Sequence, residues 1–256
     1  MIPKIIHYCW LSNDPIPEQY LNCMKSWRQN LPDYEFILWN LERFNIEDSI
    51  WVKQAFYKKK YAFAADFIRL YAVFNFGGIY IDMDIEIVKP FDILLNNNII
   101  LSYENQYSKN IEAGFFGAEK GNAFIKKCLD YYNKREFSEP ILIMPEIMKS
   151  ILQESFLNEN IHVYSHDYFT AKDTRTGIIK ITNNTFAIHH FAANWKSKSD
   201  KNNIKIMWKI TRIFGDNIFS RTIYHSVFKF KNIINRIRIN GLSTSIKYYY
   251  KKYHIK

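Results

Sequence analysis

The sequence has little of the residues that mark specialised folds. Its three cysteines, Cys9, Cys23 and Cys128, form no C-x-x-C pair and are odd in number. That argues against a disulfide framework and suits a reduced, cytosolic chain. Eight glycines and seven prolines in 256 residues exclude a collagen-like or linker-dominated protein. No uninterrupted apolar run reaches the length of about 18 residues that a spanning helix needs. The opening Met1-Ile-Pro-Lys-Ile-Ile-His7 is not expected to be a signal peptide, because His7 and Asn13 interrupt any apolar stretch. G-x-G-x-x-G, Walker, G-x-S-x-G and H-E-x-x-H patterns are missing, which weakens dinucleotide-binding, P-loop, esterase and zincin readings. What is present is 48% apolar and 17% aromatic residues, enough for a large core and too much for a disordered chain.

Acidic residues are nearly missing from one part of the chain. Residues 1–195 carry 20 Lys and Arg against 23 Asp and Glu, a net of −3. Residues 196–256 carry 15 Lys and Arg against two acids, Asp200 and Asp216, a net of +13. The overall +10 therefore describes a near-neutral domain with a basic appendage, not a uniformly basic protein.

Hydrophobic periodicity gives an α/β order. Lys4–Trp10 reads as a buried strand, Glu18–Gln29 as a helix with Tyr20, Met24 and Trp27 at helical spacing, and Tyr34–Trp39 as a second strand. Lys60–Phe74 reads as a helix stopped at Asn75-Phe-Gly77-Gly78. Ile79–Val88 alternates: Ile79, Ile81, Met83, Ile85 and Ile87 point one way, and Tyr80, Asp82, Asp84, Glu86 and Val88 the other. Strands are expected at 99–103, 113–118, Val163–Phe169 and Thr185–Phe191, and helices at Ala123–Arg135 and Pro140–Leu152. Beyond Asn203, Ile204, Met207, Trp208 and Thr211 share one helical face, and Phe219, Ile223, Val227, Phe230 and Ile234 repeat the pattern before the closing Tyr248–Tyr253. Trp27, Trp51 and Tyr57 are expected in the core.

Three constellations carry chemistry. Asp82-Met83-Asp84 places two carboxylates on one face of a strand, with Glu86 following. Neighbouring carboxylates resist joint ionisation unless a cation intervenes, and their oxygens suit Mg²⁺ or Mn²⁺; a solvated strand edge is the plainer alternative. Asp66 and Arg69 share a helix face, where Arg can neutralise carboxylates or grip phosphate; an ordinary surface ion pair is the alternative. His189-His190 could supply one metal ligand, because adjacent strand residues point oppositely. His7 and Cys9 have no second ligand pair at zinc-like spacing.

Lys4-Ile-Ile-His-Tyr-Cys-Trp10, Leu31-Pro-Asp-Tyr-Glu-Phe36 with Trp39-Asn40, Ala62-Phe-Ala-Ala-Asp66-Phe-Ile-Arg69-Leu70, Gly77-Gly-Ile-Tyr-Ile-Asp82-Met-Asp84, and His189-His190 with Trp195 occur in this order. Together they resemble the bacterial Asp-x-Asp sugar-transfer family, glycosyltransferase family 32, whose members serve capsular or surface polysaccharide synthesis. More distantly they resemble the catalytic domain of the large clostridial glucosylating toxins. The resemblance implies a GT-A fold with a mixed central sheet at 1–195, followed by a basic helical appendage at 196–256. It implies a metal-dependent, retaining hexosyltransferase using a nucleotide-diphosphate sugar, with uracil the usual base. By position, Trp10 would lie against the base. Asp66 and Arg69 would hold sugar hydroxyls or the diphosphate, and Tyr80 and Asp82 would line the donor. Asp84, with Asp82 and His190, would bind Mn²⁺ or Mg²⁺, and Trp195 would close the site. The chain departs from the family at Ile143-Met144-Pro145-Glu146, where a Gly-Pro element is usual, and at Asn194, where Ser is usual.

The implied acceptor is a saccharide on a polyprenyl lipid, and the implied location is the cytoplasmic face of the cell membrane. The basic appendage fits an anionic membrane surface. Simple packing on the domain is a second reading, and nucleic-acid binding, which needs the same charge, is not expected for want of a recognition fold. The rival whole-protein readings are an effector that glycosylates host protein and a non-catalytic sugar- or membrane-binding module.

Overall fold

A computed structural model describes residues 1–155, 161–192 and 198–240. The chain divides into two compact units, Met1–Thr174 with Ile178–Trp195, and Arg175–Gly177 with Lys196–Lys256. The first unit is an α/β domain. Its strands are β1 (Ile5–Cys9), β2 (Glu35–Trp39), β3 (Gly78–Ile81), β4 (Ile85–Ile87), β5 (Ile99–Ser102), β6 (Phe115–Ala118), β7 (Val163–Tyr164) and β8 (Ala187–His189). Its helices are α1 (Glu18–Asn30), α2 (Ile50–Tyr57), α3 (Tyr61–Phe76), α4 (Ala123–Tyr132) and α5 (Met144–Ser155).

Six strands form one mixed sheet in the order β2-β1-β3-β6-β5-β7, and β4 pairs with β8 in a two-stranded sheet. β1 runs parallel to β2 and β3, with Ile6 opposite both Phe36 and Ile79. β6 is antiparallel to β3 and β5.

Strand alternation divides the core. Ile6, Tyr8, Ile79, Ile81 and Phe115 join Trp27 of α1 in one cluster. Tyr80, Phe116 and Trp39 join α3, α4 and α5 in the other. Each large apolar side chain buried this way contributes about 1.5–3 kcal/mol. The local devices match the boundaries. Ser49 Oγ accepts from the Val52 amide at the start of α2, and Asn122 Oδ1 accepts from Phe124 and Ile125 at the start of α4. α3 passes into β3 through Gly77 and Gly78, at φ +69° and +103°. A Cβ on Gly78 would stand 2.6 Å from the Ile5 carbonyl, so only glycine lets β3 approach β1 there.

Three expectations are corrected. Ile79–Val88 is not one strand: a turn at Asp82–Asp84 separates β3 from β4, and the two lie in different sheets. The alternation survives the break, since Ile79, Ile81, Met83, Ile85 and Ile87 all enter one cluster. Val163–Phe169 is strand only at its first two residues and continues as a 3-10 turn at His166–Tyr168. Tyr57 is exposed, whereas Trp27 and Trp51 are buried as expected.

In the second unit, α6 (Lys198–Phe214) and α7 (Ile218–Asn240) form a helical pair. Asn217 caps α7 by accepting from the Ser220 amide, and Trp208 packs on Gly177. Among the described residues no helix is long and apolar enough to cross a membrane. The three cysteines are free.

Candidate active site

β1 is where the order of strands reverses: the chain adds β2 on one side of it and β3 on the other, both parallel to it. In open α/β sheets the crevice outside the carboxyl ends of strands at such a switch point is where ligands bind. Trp10 follows β1 there, and Asp82-Met83-Asp84 follows β3.

The turn is tightly held. The Ile85 amide donates to the Asp82 carbonyl at 3.0 Å, and the Asp82 amide to the Gly114 carbonyl at 2.7 Å. β4 pairs with β8 along one edge. α1 side chains saturate its backbone elsewhere: Trp27 Nε1 donates to Ile85 O at 2.6 Å, Asn30 Nδ2 to Ile87 O at 3.0 Å, and the Ile87 amide donates to Ser26 Oγ at 2.9 Å. The buried face of α1 also places Tyr20 and Cys23 near the acidic turn. Burial, then Asp84, raises the Tyr20 hydroxyl, and burial, then Asp84 and Glu86, raises the Cys23 thiol to about 12.

Asp66 and Arg69 of α3 are both buried, so they are not the surface pair that their spacing alone would allow. Arg69 Nη2 lies 3.4 Å from Asp66 Oδ1 and 3.5 Å from Asp82 Oδ1. Its Nη1 donates to the Ala113 carbonyl at 2.8 Å, and its guanidinium sits 4.6 Å from the centre of the Tyr80 ring. Tyr80 OH donates to Asp82 Oδ1 at 2.8 Å. Burial pushes the Asp66 carboxyl up to about 7 against the pull of Arg69. Burial also raises Asp82, assisted by Asp84 and opposed by Arg69.

His189, not His190, faces the carboxylates. His189 Nε2 lies 3.3 Å from Asp84 Oδ1, and its Nδ1 3.1 Å from Glu112 Oε1. His190 Nε2 instead meets Glu86 Oε2 at 2.9 Å, and neither belongs to the group that Asp82 and Asp84 form with His189. The reason is the pleat: adjacent residues at the end of β8 point oppositely, and pairing of His189 with Ile85 sets which one faces inward. Phe191, at φ +51°, is a left-handed residue that costs backbone strain. It stacks on His189 with ring centres 4.0 Å apart. Directly after it, the Ala192 amide donates to Asp84 Oδ2 at 2.7 Å. Burial opposes charge on both Asp84 and His189. Their mutual attraction outweighs it, assisted by Ala192 at Asp84 and by Glu112 at His189. Asp84 is held down at about 2, and His189 well above the usual imidazole range.

Asp82, Asp84 and His189 offer ligand atoms that all lie within 4.8 Å of one another. Two carboxylates and an imidazole suit a divalent cation, and the Glu112 carboxylate behind His189 is the kind of outer partner that orients a ligating histidine. The donor set therefore fits a metal ion. Glu112 was not visible as a site residue in the sequence. It is buried, its Oε1 also accepts the Gly114 amide at 2.6 Å, and its Oε2 has no hydrogen-bond partner. Gly114 is required where it stands: a Cβ would lie 2.7–2.9 Å from Glu112, Asp82 and His189. Trp10 stands at the end of β1, donating Nε1–H to Asp14 O at 3.0 Å with its ring edge-on to Tyr20. Trp195 and Asn194 lie outside the described residues.

Residues 17–105 match the family model of the glycosyltransferase sugar-binding region containing DXD motif. That stretch carries α1, α3 and the Asp82-Met83-Asp84 turn. Inositol phosphoceramide mannosyltransferase 1 of Schizosaccharomyces pombe is 35% identical over 151 residues, 54% of this chain and 46% of that protein. Mannosyl phosphorylinositol ceramide synthase CSH1 of Saccharomyces cerevisiae is 37% identical over 99 residues, 37% of this chain and 26% of that one. The chain spans less than half the length of these curated relatives. Among solved structures, PaToxG glycosyltransferase superposes with a TM-score of 0.51 at 22% identity, covering 61% of this chain and 70% of that chain. The fold is the mixed α/β architecture of GT-A glycosyltransferases.

Proposed function

We propose that the protein is a metal-dependent glycosyltransferase that moves a hexose from a nucleotide-diphosphate sugar to a hydroxyl of a lipid-borne acceptor. The observation that carries this reading is the Asp82–Asp84–His189 group at the switch point of the sheet, within a chain that matches a DXD sugar-binding region. The two yeast relatives are named for mannosyl transfer to phosphorylinositol ceramides. This favours a mannosyl or similar hexosyl group, and a polar lipid head group beside the polyprenyl-linked saccharide of surface polysaccharide synthesis.

Asp82, Asp84 and His189 would hold Mn²⁺ or Mg²⁺, which supplies Lewis-acid stabilisation of the diphosphate as it leaves. Glu112 orients His189. Arg69 pairs with Asp66 and Asp82 and donates to the Ala113 carbonyl, so it positions those carboxylates and brings a fixed positive charge to the donor side of the site. Asp66, with its carboxyl near neutrality, is suited to hydrogen-bond a sugar hydroxyl as donor or acceptor. Trp10 offers an aromatic face or edge to the base, and Tyr80 fixes Asp82. Retention follows from front-face transfer: the bond from the anomeric carbon to the diphosphate breaks, the acceptor oxygen bonds on the same face, and the acceptor proton passes to the departing phosphate.

The test is a thermal-shift and calorimetry panel of UDP- and GDP-sugars with and without Mn²⁺, followed by transfer to inositol phosphoceramide or a polyprenyl-linked saccharide. One nucleotide sugar is expected to bind only with metal and to be turned over on one acceptor. A folded sample that binds none of them loses the transferase reading.

A further inference from the structure

α7 carries an apolar face that α6 does not cover. Ser220, Tyr224, Phe228 and Lys231 recur at helical spacing; Ser220 is fully buried, and Lys231 Nζ donates to Asn203 Oδ1 of α6 at 2.8 Å. This is the side turned to α6. Phe219, Ile223, Val227, Phe230 and Ile234 fall on a different side, within an arc of about 80° at the helical rotation of about 100° per residue. Phe219, Phe230 and Ile234 are 58%, 64% and 48% exposed. The stripe runs into the turn between the helices, where Ile213 and Ile218 are 73% and 79% exposed and Phe214 packs edge-on against Phe219. Asp216, the acid of that turn, is neutralised by Arg175 and Arg221. Lys205, Lys209, Arg212 and Lys229 are exposed along the pair.

We infer that this stripe and the α6–α7 turn seat the protein on an anionic lipid surface. An exposed apolar row on a helix pair that also presents exposed Lys and Arg suits a bilayer interface, and the +13 of residues 196–256 complements anionic head groups. A second copy of the chain would have to bring two such charges together. A nucleic-acid backbone would use the cations and leave Phe219, Val227, Phe230 and Ile234 in water. The inference stands apart from the transfer reaction and does not need it.

The test is co-sedimentation of the full chain with vesicles of phosphatidylcholine alone and of phosphatidylcholine mixed with phosphatidylglycerol, at low and high salt. Binding is expected on the mixed vesicles and is expected to weaken with salt. Phe230→Ser and Ile218→Ser lie on the surface and should leave circular dichroism and Tm unchanged. Each is expected to weaken partitioning about tenfold, the factor that about 1.4 kcal/mol of lost burial produces. Absence of vesicle binding would overturn the inference, and so would binding that these variants do not change. A sedimenting dimer that the variants split, without vesicle binding, would assign the face to a second copy. Binding only to nucleic acid would overturn it in the same way.

Discussion

Asp84 is the carboxylate most committed to the charged form, since His189 and the Ala192 amide hold it at about 2. Asp84→Asn keeps an acceptor for Ala192 and removes the charge. Metal-dependent turnover is expected to fall by more than about a hundredfold, on the order of 3 kcal/mol, with Tm changed by only a few degrees; unchanged turnover would remove Asp84 from the site. Glu112→Gln keeps the acceptor for Gly114 but weakens the grip on His189 Nδ1. Mn²⁺ affinity, read by calorimetry, is expected to fall about 10–100-fold, whereas a purely structural Glu112 would shift Tm and leave affinity alone. At this scale the sequence was informative where residues share one local element. Asp66 with Arg69 and Asp82 with Asp84 could be paired from spacing. Choosing between His189 and His190 could not be done so, because it depends on the register of β8 against β4. Glu112 carried no signal at all, since it acts on a residue 77 positions away.

The elements β1, β2 and β3 are tied together by one histidine. Trp39 Nε1–H donates to His7 Nδ1 at 3.1 Å, so the proton of the neutral ring is on Nε2, which donates to the Gly77 carbonyl at 2.8 Å. Burial pushes the His7 pKa down to about 4. The unfolded chain then binds a proton between about pH 6.5 and 4 that the native state does not, so stability rises with pH across that window and is lost as pH falls through it. The full loss is about 3 kcal/mol. Urea unfolding at pH 7.5 and 4.5 should show it, and His7→Gln should flatten that part of the slope; parallel slopes would exclude His7 as the cause. Element positions were largely legible, as in α1, β1 and β2, because apolar periodicity is strong there. The break between β3 and β4 was hidden by an alternation that continues through it: Met83 enters the same cluster as its neighbours although its backbone is in a turn.

For the whole molecule, donor binding is a stability measurement. A nucleotide sugar at about 100 times its Kd raises stability by about 2.7 kcal/mol, so the metal-dependent shift in the donor panel is expected to be several degrees. The family resemblance and the matched region at 17–105 agree on the sugar-transfer reading, while the acceptor preference rests on relatives that this chain matches only in part. The sequence by itself determined the α/β order, the Asp82–Asp84 and Asp66–Arg69 pairs, and the separation of −3 from +13 along the chain, because each is a property of composition or local period. Tertiary structure decided that α3 buries its ion pair, that His189 and not His190 joins the carboxylates, and that Glu112 and Gly114 stand behind them. Residues 66, 82, 112 and 189 meet because the strand order β1-β3-β6 and the pairing of β4 with β8 bring distant segments to one crevice, and strand order is a product of packing that no local period encodes.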